Sequence, residues 1–374
     1  MVQTLQSNGN IASYSIPVSL SRPHTHKKKR LLSFVNMAAK TINKTSSSSS
    51  STAPVKKPRR DAKWRAMMKR RNAIMKRGTC FEILKEAAAG CSLETSHGVT
   101  WARCCLLGKG GYGSVFLAKR QTTTSSDGDL PDKIAVKSAT LENASTLKHE
   151  KRVLCDLKAS PNVIKCYGDE ITDTGCDGER IYNLLLEFCC GLSLHRQIKL
   201  SGSGLPESDV RKYTRDVVKG LKYVHCRGYI HCDVKPGNIL LVPGTEERSG
   251  GFVAKIADFG LAMSIYENQN WGDDLIGTHP YMSPELVKEK RYDYGVDIWA
   301  LGCAVVEMLS GKPVWPRMDV PGYLYTIGDS QDLPQIPSSI SDDAKDFLGK
   351  CLVRNAAQRW SADELLEHPF LSVG

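Results

Sequence analysis

The chain has 374 residues, 41% of them hydrophobic, and 51 Lys and Arg against 40 Asp and Glu give a formal charge of +11. This is the composition of a soluble globular chain with room for two or three structural units. The 13 cysteines are odd in number and follow no CxxC spacing, so they read as reduced intracellular thiols, not a disulfide framework.

No apolar stretch reaches the roughly 18 residues of a membrane span. The best run, Ile298 to Leu309, is short and contains Glu307, and Met1-Val2 lacks the glycine of a myristoylation site. The positive charge sits at one end. Up to Cys80 there are 18 basic residues and one acid, Asp61, a charge of +17, which leaves 33 basic and 39 acidic residues, −6, for the remainder. The folded part is therefore expected to be mildly acidic, and stable nucleic-acid binding is not expected of it.

Residues 1–97 include unbroken serines from Ser46 to Ser51 and lack the periodicity of a core, which predicts a basic, Ser-rich, disordered extension. Its clusters Lys27-Lys28-Lys29-Arg30, Lys56-Lys57-Pro58-Arg59-Arg60 and Lys69-Arg70-Arg71 fit a nuclear address, the last two as a bipartite signal. A solvated charge run and a plastid transit peptide are the alternatives. Trp64, Met67, Met68, Ile74 and Met75 interrupt the basic stretch from Asp61 to Arg77, which also admits a calmodulin-type or membrane-surface helix.

From Trp101 the texture changes to short β-rich runs, Trp101 to Leu107, Ser114 to Lys119, Lys133 to Lys137, Val163 to Tyr167 and Tyr182 to Phe188, with one helical pattern at Leu147 to Leu157. Turns are predicted at Thr122 to Asp132, Asp173 to Arg180 and Pro243 to Gly251. After Cys190 the clearest pieces are helical: Glu207 to Arg227, Tyr294 to Ser310, Asp342 to Leu352 and Ala362 to Leu366. A strand-rich half followed by a helix-rich half implies two lobes, at 98–189 and 190–374, with a cleft between them.

Four motifs carry chemistry. Gly108-Lys109-Gly110-Gly111-Tyr112-Gly113-Ser114-Val115 is a GxGxxG followed by Phe116-Leu117, so it reads as a hairpin laid over phosphates and not as the opening of a dinucleotide-binding helix. Its glycines let backbone N–H groups approach phosphate oxygens. Next comes Ile134-Ala135-Val136-Lys137, a lysine ending an apolar strand, which needs a charge partner. Glu150 in the helical pattern is the candidate. Ile230-His231-Cys232-Asp233-Val234-Lys235-Pro236-Gly237-Asn238-Ile239-Leu240 gathers an acid, a lysine and an amide in one loop. Lys255-Ile256-Ala257-Asp258-Phe259-Gly260 adds a carboxylate in apolar surroundings, suited to a hard cation.

In this order the motifs resemble the signature set of the eukaryotic protein kinases, over Trp101 to Leu371. The resemblance implies an α+β, bilobal protein kinase fold and transfer of the ATP γ-phosphate, with Mg²⁺, to serine or threonine hydroxyls. It implies a nucleotide site made by Leu107, Gly108, Lys109, Gly110, Gly111, Tyr112, Gly113, Ser114, Val115, Ala135, Lys137, Glu150, Glu187, Cys189 and Leu240. Asp233 would accept or orient the proton of the substrate hydroxyl, and Lys235 would neutralise charge on the transferring group. Asn238 and Asp258 would hold Mg²⁺. Ser283-Pro284-Glu285 would close the activation segment, Asp297 to Gly302 would begin the central helix, and Arg359 would pair with Glu285.

Lys235 two residues after Asp233, together with Gly277-Thr278, places the resemblance in the serine/threonine branch. Within it the chain is similar to plant MAP kinase kinase kinases, which implies a MAP kinase kinase as protein substrate and stress or hormone signalling as the setting. The basic clusters put the expected address in the nucleus, the cytoplasm or both. Cys232 departs from the pattern. It stands where an arginine usually precedes the catalytic aspartate and pairs with a phosphorylated loop, so activity is expected to survive removal of loop phosphates. The sequence ends just after the last predicted helix, which puts the expected regulatory extension on the N-terminal side. A pseudokinase scaffold and a nucleic-acid binder remain the rival classes; the first would not need Lys137, Asp233, Asn238 and Asp258 together.

Overall fold

In the computed structural model, residues 98–372 are described except 112, 122–129, 174–177, 245–250 and 267–273. The basic clusters, the Trp64 segment, Tyr112 and the tips of the three predicted turns lie outside the described residues.

Strands β1 (Trp101–Gly110), β2 (Gly113–Arg120), β3 (Lys133–Thr140), β4 (Cys166–Asp173) and β5 (Arg180–Glu187) form one antiparallel sheet in the order β1-β2-β3-β5-β4. Alternation sorts the sheet residues to two faces. On one face Trp101, Ala118, Ile134, Val136 and Leu185 bury together. The same face carries a polar pin, the fully buried Asn183. Its Oδ1 accepts hydrogen bonds from Ser138 Oγ (2.7 Å) and Arg103 Nη2 (2.9 Å), and its Nδ2 donates to Thr172 Oγ1 (2.9 Å). Helix α1 (Ser145–Asp156) packs on the sheet through Leu147, Val153 and Leu154 and buries Glu150.

The helical lobe contains α2 (Leu194–Ser201), α3 (Glu207–Cys226), α4 (Pro284–Glu289), α5 (Tyr294–Ser310), α6 (Val320–Leu324), α7 (Asp342–Cys351) and α8 (Ala362–Leu366). Two short strand pairs lie within or beside it: β6 (Tyr229–Ile230) with β9 (Met263–Ser264), and β7 (Ile239–Pro243) with β8 (Phe252–Ile256). Helix α5 is its centre. Asp293 caps it by accepting from Gly295 N, Gly311 ends it in the left-handed conformation, and every residue from Val296 to Met308 is buried. The apolar run of the sequence is thus a core helix, and no described helix is long and apolar enough to cross a membrane.

The sequence places a strand at Val163 to Tyr167, whereas β4 begins at Cys166. Val163 and Ile164 are apolar for another reason: they are buried against β8, where Ile164 N donates to Ile256 O at 2.9 Å.

Candidate active site

A cleft of about 740 Å³ opens between the sheet and the helical lobe, with Leu107, Gly108, Val115 and Ala135 on one side and Leu240, Ala257 and Asp258 on the other. That volume suits a nucleotide-sized ligand. Lys137, Glu150, Glu187, Cys189 and Asn238 also line it. Glu187 turns its carboxylate to Lys255 Nζ (2.9 and 2.8 Å), so what it offers the cleft is main chain. Burial and then the charge of Glu187 push the Cys189 thiol up to about 12, which keeps it protonated.

The glycine-rich hairpin divides its residues by strand alternation. Val115 faces the cleft, while Gly110, Gly111, Gly113 and Ser114 border a second hollow of about 560 Å³ on the opposite face. Lys109 lines neither. Of these residues only the backbone is left to face a ligand held in the cleft. Gly113 has φ +127, and a Cβ there would stand 2.2 Å from Ser138 O, so only glycine closes the hairpin onto β3.

At the inner end of the cleft, Lys137 Nζ donates to Glu150 Oε2 (2.7 Å) and Asp258 Oδ1 (2.8 Å). Burial pulls the Lys137 ammonium down, but Glu150 and Asp258 outweigh it and hold it above the usual lysine value. Burial likewise opposes the Asp258 carboxylate, and Lys137 reverses the effect and holds it below the usual range. Glu150 Oε1 also accepts from Phe259 N at 3.2 Å, which ties α1 to the turn after β8. Asp258 sits at φ +67, a conformation aspartate tolerates better than most residues.

The loop between β6 and β7 carries the second cluster. Asp233 Oδ2 accepts from Lys235 Nζ (2.6 Å) and Asn238 Nδ2 (2.9 Å), and Asp233 Oδ1 accepts from the Thr278 hydroxyl (2.6 Å). Lys235 Nζ also donates to Thr278 Oγ1 at 2.7 Å. The loop hangs from α5. Asp297, fully buried, accepts from His231 N (2.8 Å), Cys232 N (2.9 Å) and His225 Nε2 (2.9 Å). His231 accepts from Asp233 N on Nδ1 (3.2 Å) and donates from Nε2 to Ala257 O (3.1 Å), which fixes a neutral tautomer and joins the two motif loops.

The donor set fits a hard cation shared with phosphates. Asn238 commits its NH₂ to Asp233, and Asp258 commits one oxygen to Lys137. Asn238 Oδ1 and Asp258 Oδ2 then carry no hydrogen bond among the described residues. No group of three or more His, Cys, Asp and Glu there could hold an ion unaided. Mg²⁺ typically takes one or two protein oxygens and leaves the rest to phosphates and water.

Sequence reasoning named Thr278 as a mark of the serine/threonine branch and Asp297 as the start of the central helix, and missed their bonds to the loop carrying Asp233. An aspartate inside an otherwise apolar helix was the available signal for Asp297. Of the other cleft-lining residues it missed, Arg196 and Ser193 come from α2 and its cap.

The protein kinase domain family matches residues 101–371. Over 285 residues the chain is 42% identical to mitogen-activated protein kinase kinase kinase 20 of Arabidopsis thaliana, covering 73% of this chain and 78% of that protein. It is 38% identical over 278 residues to kinase kinase kinase 17 of the same plant, covering 73% and 70%. It is 37% identical over 280 residues to number 18, covering 73% and 78%. The chain therefore belongs to the protein kinase family, as a protein serine/threonine kinase of the mitogen-activated protein kinase kinase kinase type.

Proposed function

We propose that the chain binds ATP with Mg²⁺ in the 740 Å³ cleft and phosphorylates a serine or threonine of a MAP kinase kinase in a plant signalling cascade. The observation that carries the reading is Asp233, whose carboxylate already accepts a hydrogen bond from a threonine hydroxyl, that of Thr278, at 2.6 Å. An acceptor hydroxyl from a substrate needs the same partner. Asp233 orients that hydroxyl and takes up its proton, and Lys235 offsets charge beside it. Lys137, held charged by Glu150 and Asp258, grips the phosphates. Bound Mg²⁺, held by Asn238 and Asp258, supplies neutralisation of phosphate charge. Positioning and charge neutralisation, more than covalent chemistry, supply the rate.

The relatives' names support the substrate class. A panel of purified MAP kinase kinases, each with its own nucleotide pocket disabled, incubated with this chain and labelled ATP tests it: at least one is expected to be labelled on Ser or Thr. Labelling of generic proteins alone would confine the reading to a kinase of other substrates. Residues 98–374 form the catalytic unit in this reading, and the basic clusters of the preceding segment support an address in the nucleus, the cytoplasm or both. A chain beginning at His97 is expected to keep its turnover. Neutralising Lys56, Lys57, Arg59, Arg60, Lys69, Arg70 and Arg71 is expected to move a fluorescent fusion out of the nucleus, and an unchanged distribution would reject the nuclear address.

A further inference from the structure

Cys232 lacks the charge that its position carries in the family pattern, and the structure puts apolar surface in its place. The residue is buried, sits at φ +65, and its thiol meets the carbonyl of Ile230 at 3.6 Å. Burial, then Asp297 and Asp233, raise the thiol well above its ordinary value, so it is a neutral, apolar group. Around it close Ile230, Met263, Met282, Leu286, Tyr292 and Val296. The cavity left beside Cys232 is about 10 Å³, room for one water and not for a longer side chain.

Two stretches of the activation segment end on this cluster. The outgoing arm pairs Met263 with Ile230, hydrogen-bonds Ile265 N to Gly228 O at 2.9 Å, and packs Ile265 against the cluster. The returning arm packs Leu275 and Ile276 there, and Ile276 N donates to Tyr292 Oη at 2.9 Å. One residue on, Gly277 has φ +121 and lies so close that a Cβ would stand 2.6 Å from Cys232 O. Thr278, which bonds Asp233, follows directly. The helix bearing Glu150 is tied to the same segment, where His149 Nε2 donates to Ala262 O at 2.7 Å.

We propose that Cys232 is a positioning residue: an apolar socket built on it clamps both arms of the activation segment, and thereby sets Thr278 against Asp233 with no phosphate on the segment. This rests on the kinase reading of Asp233 given above. Because the arms share one core, loosening either should free the other, a coupling that purely local packing would not produce. Arginine at 232 would overpack the socket.

The test uses the full chain, treated with phosphatase, and measures turnover of a generic protein substrate, ATP affinity, and hydrogen exchange over 263–266 and 274–282. The unmutated enzyme is expected to keep its rate within about twofold after treatment, the change a misplaced site would far exceed. Ile276→Ser and Cys232→Arg are each expected to lower kcat about ten- to a hundredfold with ATP affinity nearly unchanged. They are also expected to lose protection in both arms, and Ile276→Leu should restore both readouts. A hundredfold fall on dephosphorylation of the unmutated enzyme would overturn the proposal. So would Ile276→Ser exposing only its own arm, or Cys232→Arg keeping unmutated turnover and protection. Absence of any turnover in the unmutated chain would instead sink the kinase reading, while coupled exchange of the two arms would still read the socket.

Discussion

The Thr278 hydroxyl donates a 2.6 Å hydrogen bond to Asp233 Oδ1 across 45 residues of sequence, and Lys235 Nζ bridges the two side chains from the other oxygen. Thr278 therefore holds the returning arm against the catalytic loop and fixes the rotamer of the aspartate. Thr278→Ala removes the bond and should lower kcat by about ten- to a hundredfold, the scale of a misplaced reacting group. Thr278→Ser, which keeps the hydroxyl, should stay within about threefold of the unmutated rate. Steady-state kinetics with a protein substrate check this, and equal losses in both variants would remove the hydroxyl from the argument.

In the proposed function Asp233 and Asp258 divide two tasks within one site. Asp233→Asn should lower phosphoryl transfer by about 10²–10⁴, the range of a positioned acid–base group, while leaving Mg-ATP affinity close to the unmutated value. Asp258→Asn should cost turnover at least as heavily and also change the magnesium dependence of ATP binding. Calorimetric titration of ATP at several magnesium concentrations, run beside the transfer assay, separates the two. Unmutated rates in both variants would defeat the assignment.

The charges proposed to hold the phosphates should be insensitive to pH from neutrality into the alkaline range. Lys137 is raised above 10.5, so its positive charge is fully present below that value and is lost as pH rises through the folded pKa. Burial raises the Glu150 carboxyl above its usual value against the pull of Lys137, so the charge of that partner is lost as pH falls through the raised value. Asp258 is lowered below 3.8, so its contribution is present above that value and is lost as pH falls through the folded pKa. The affinity difference for ATP between unmutated enzyme and Lys137→Met should therefore stay constant from about pH 7 to about pH 9, where the raised Glu150 carboxyl is still ionised and titration of the nucleotide itself cancels in the difference. A step near neutrality would show that another group controls the lysine.

Arg359 should matter to stability and not to chemistry. Its guanidinium makes a bidentate pair with Glu285 (2.6 and 3.0 Å) and donates to Gly295 O (2.6 Å) and Val353 O (2.9 and 3.1 Å), with side-chain exposures of 0% for the arginine and 3% for the glutamate. Arg359→Met strands a buried carboxylate and should cost about 3–5 kcal/mol. Replacing both partners by apolar residues of similar volume should recover much of that loss. Denaturant unfolding measures both variants, and a single-variant loss below about 1 kcal/mol, typical of an exposed pair, would contradict the burial argument.

Legibility in the sequence followed element length. Helices α3, α5, α7 and α8 match their predicted spans within one residue at either end, because the long ones carry full turns of periodicity and α8 opens on the capping box Ser361/Glu364. Helices α2, α4 and α6, of eight, six and five residues, are too short for periodicity to register. In the site, the motif residues of the two loops and Lys137 could be named because each lies in a short run of diagnostic neighbours. The bonds of Asp233 to Thr278 and of His231 to Asp297, separated by 45 and 66 residues, depend on tertiary placement that no local pattern contains.

The buried amide of Asn183 has a consequence for how the sheet is assembled. Asn183 is the register partner of Ser138, and Lys137 faces Leu184 one position along. A slip of β5 by a single residue would point Leu184 at the Ser138 hydroxyl and turn the amide to the other face, away from Ser138, Arg103 and Thr172. The slipped sheet would still bury its aliphatic side chains, so hydrophobicity alone would discriminate weakly between the two pairings. Stranding a carboxamide, a hydroxyl and a guanidinium in the interior makes the error expensive. Asn183 thus works as a proofreading group during folding: it rejects the shifted partner strand, and so protects the strand alignment on which the Lys137–Glu150 contact depends.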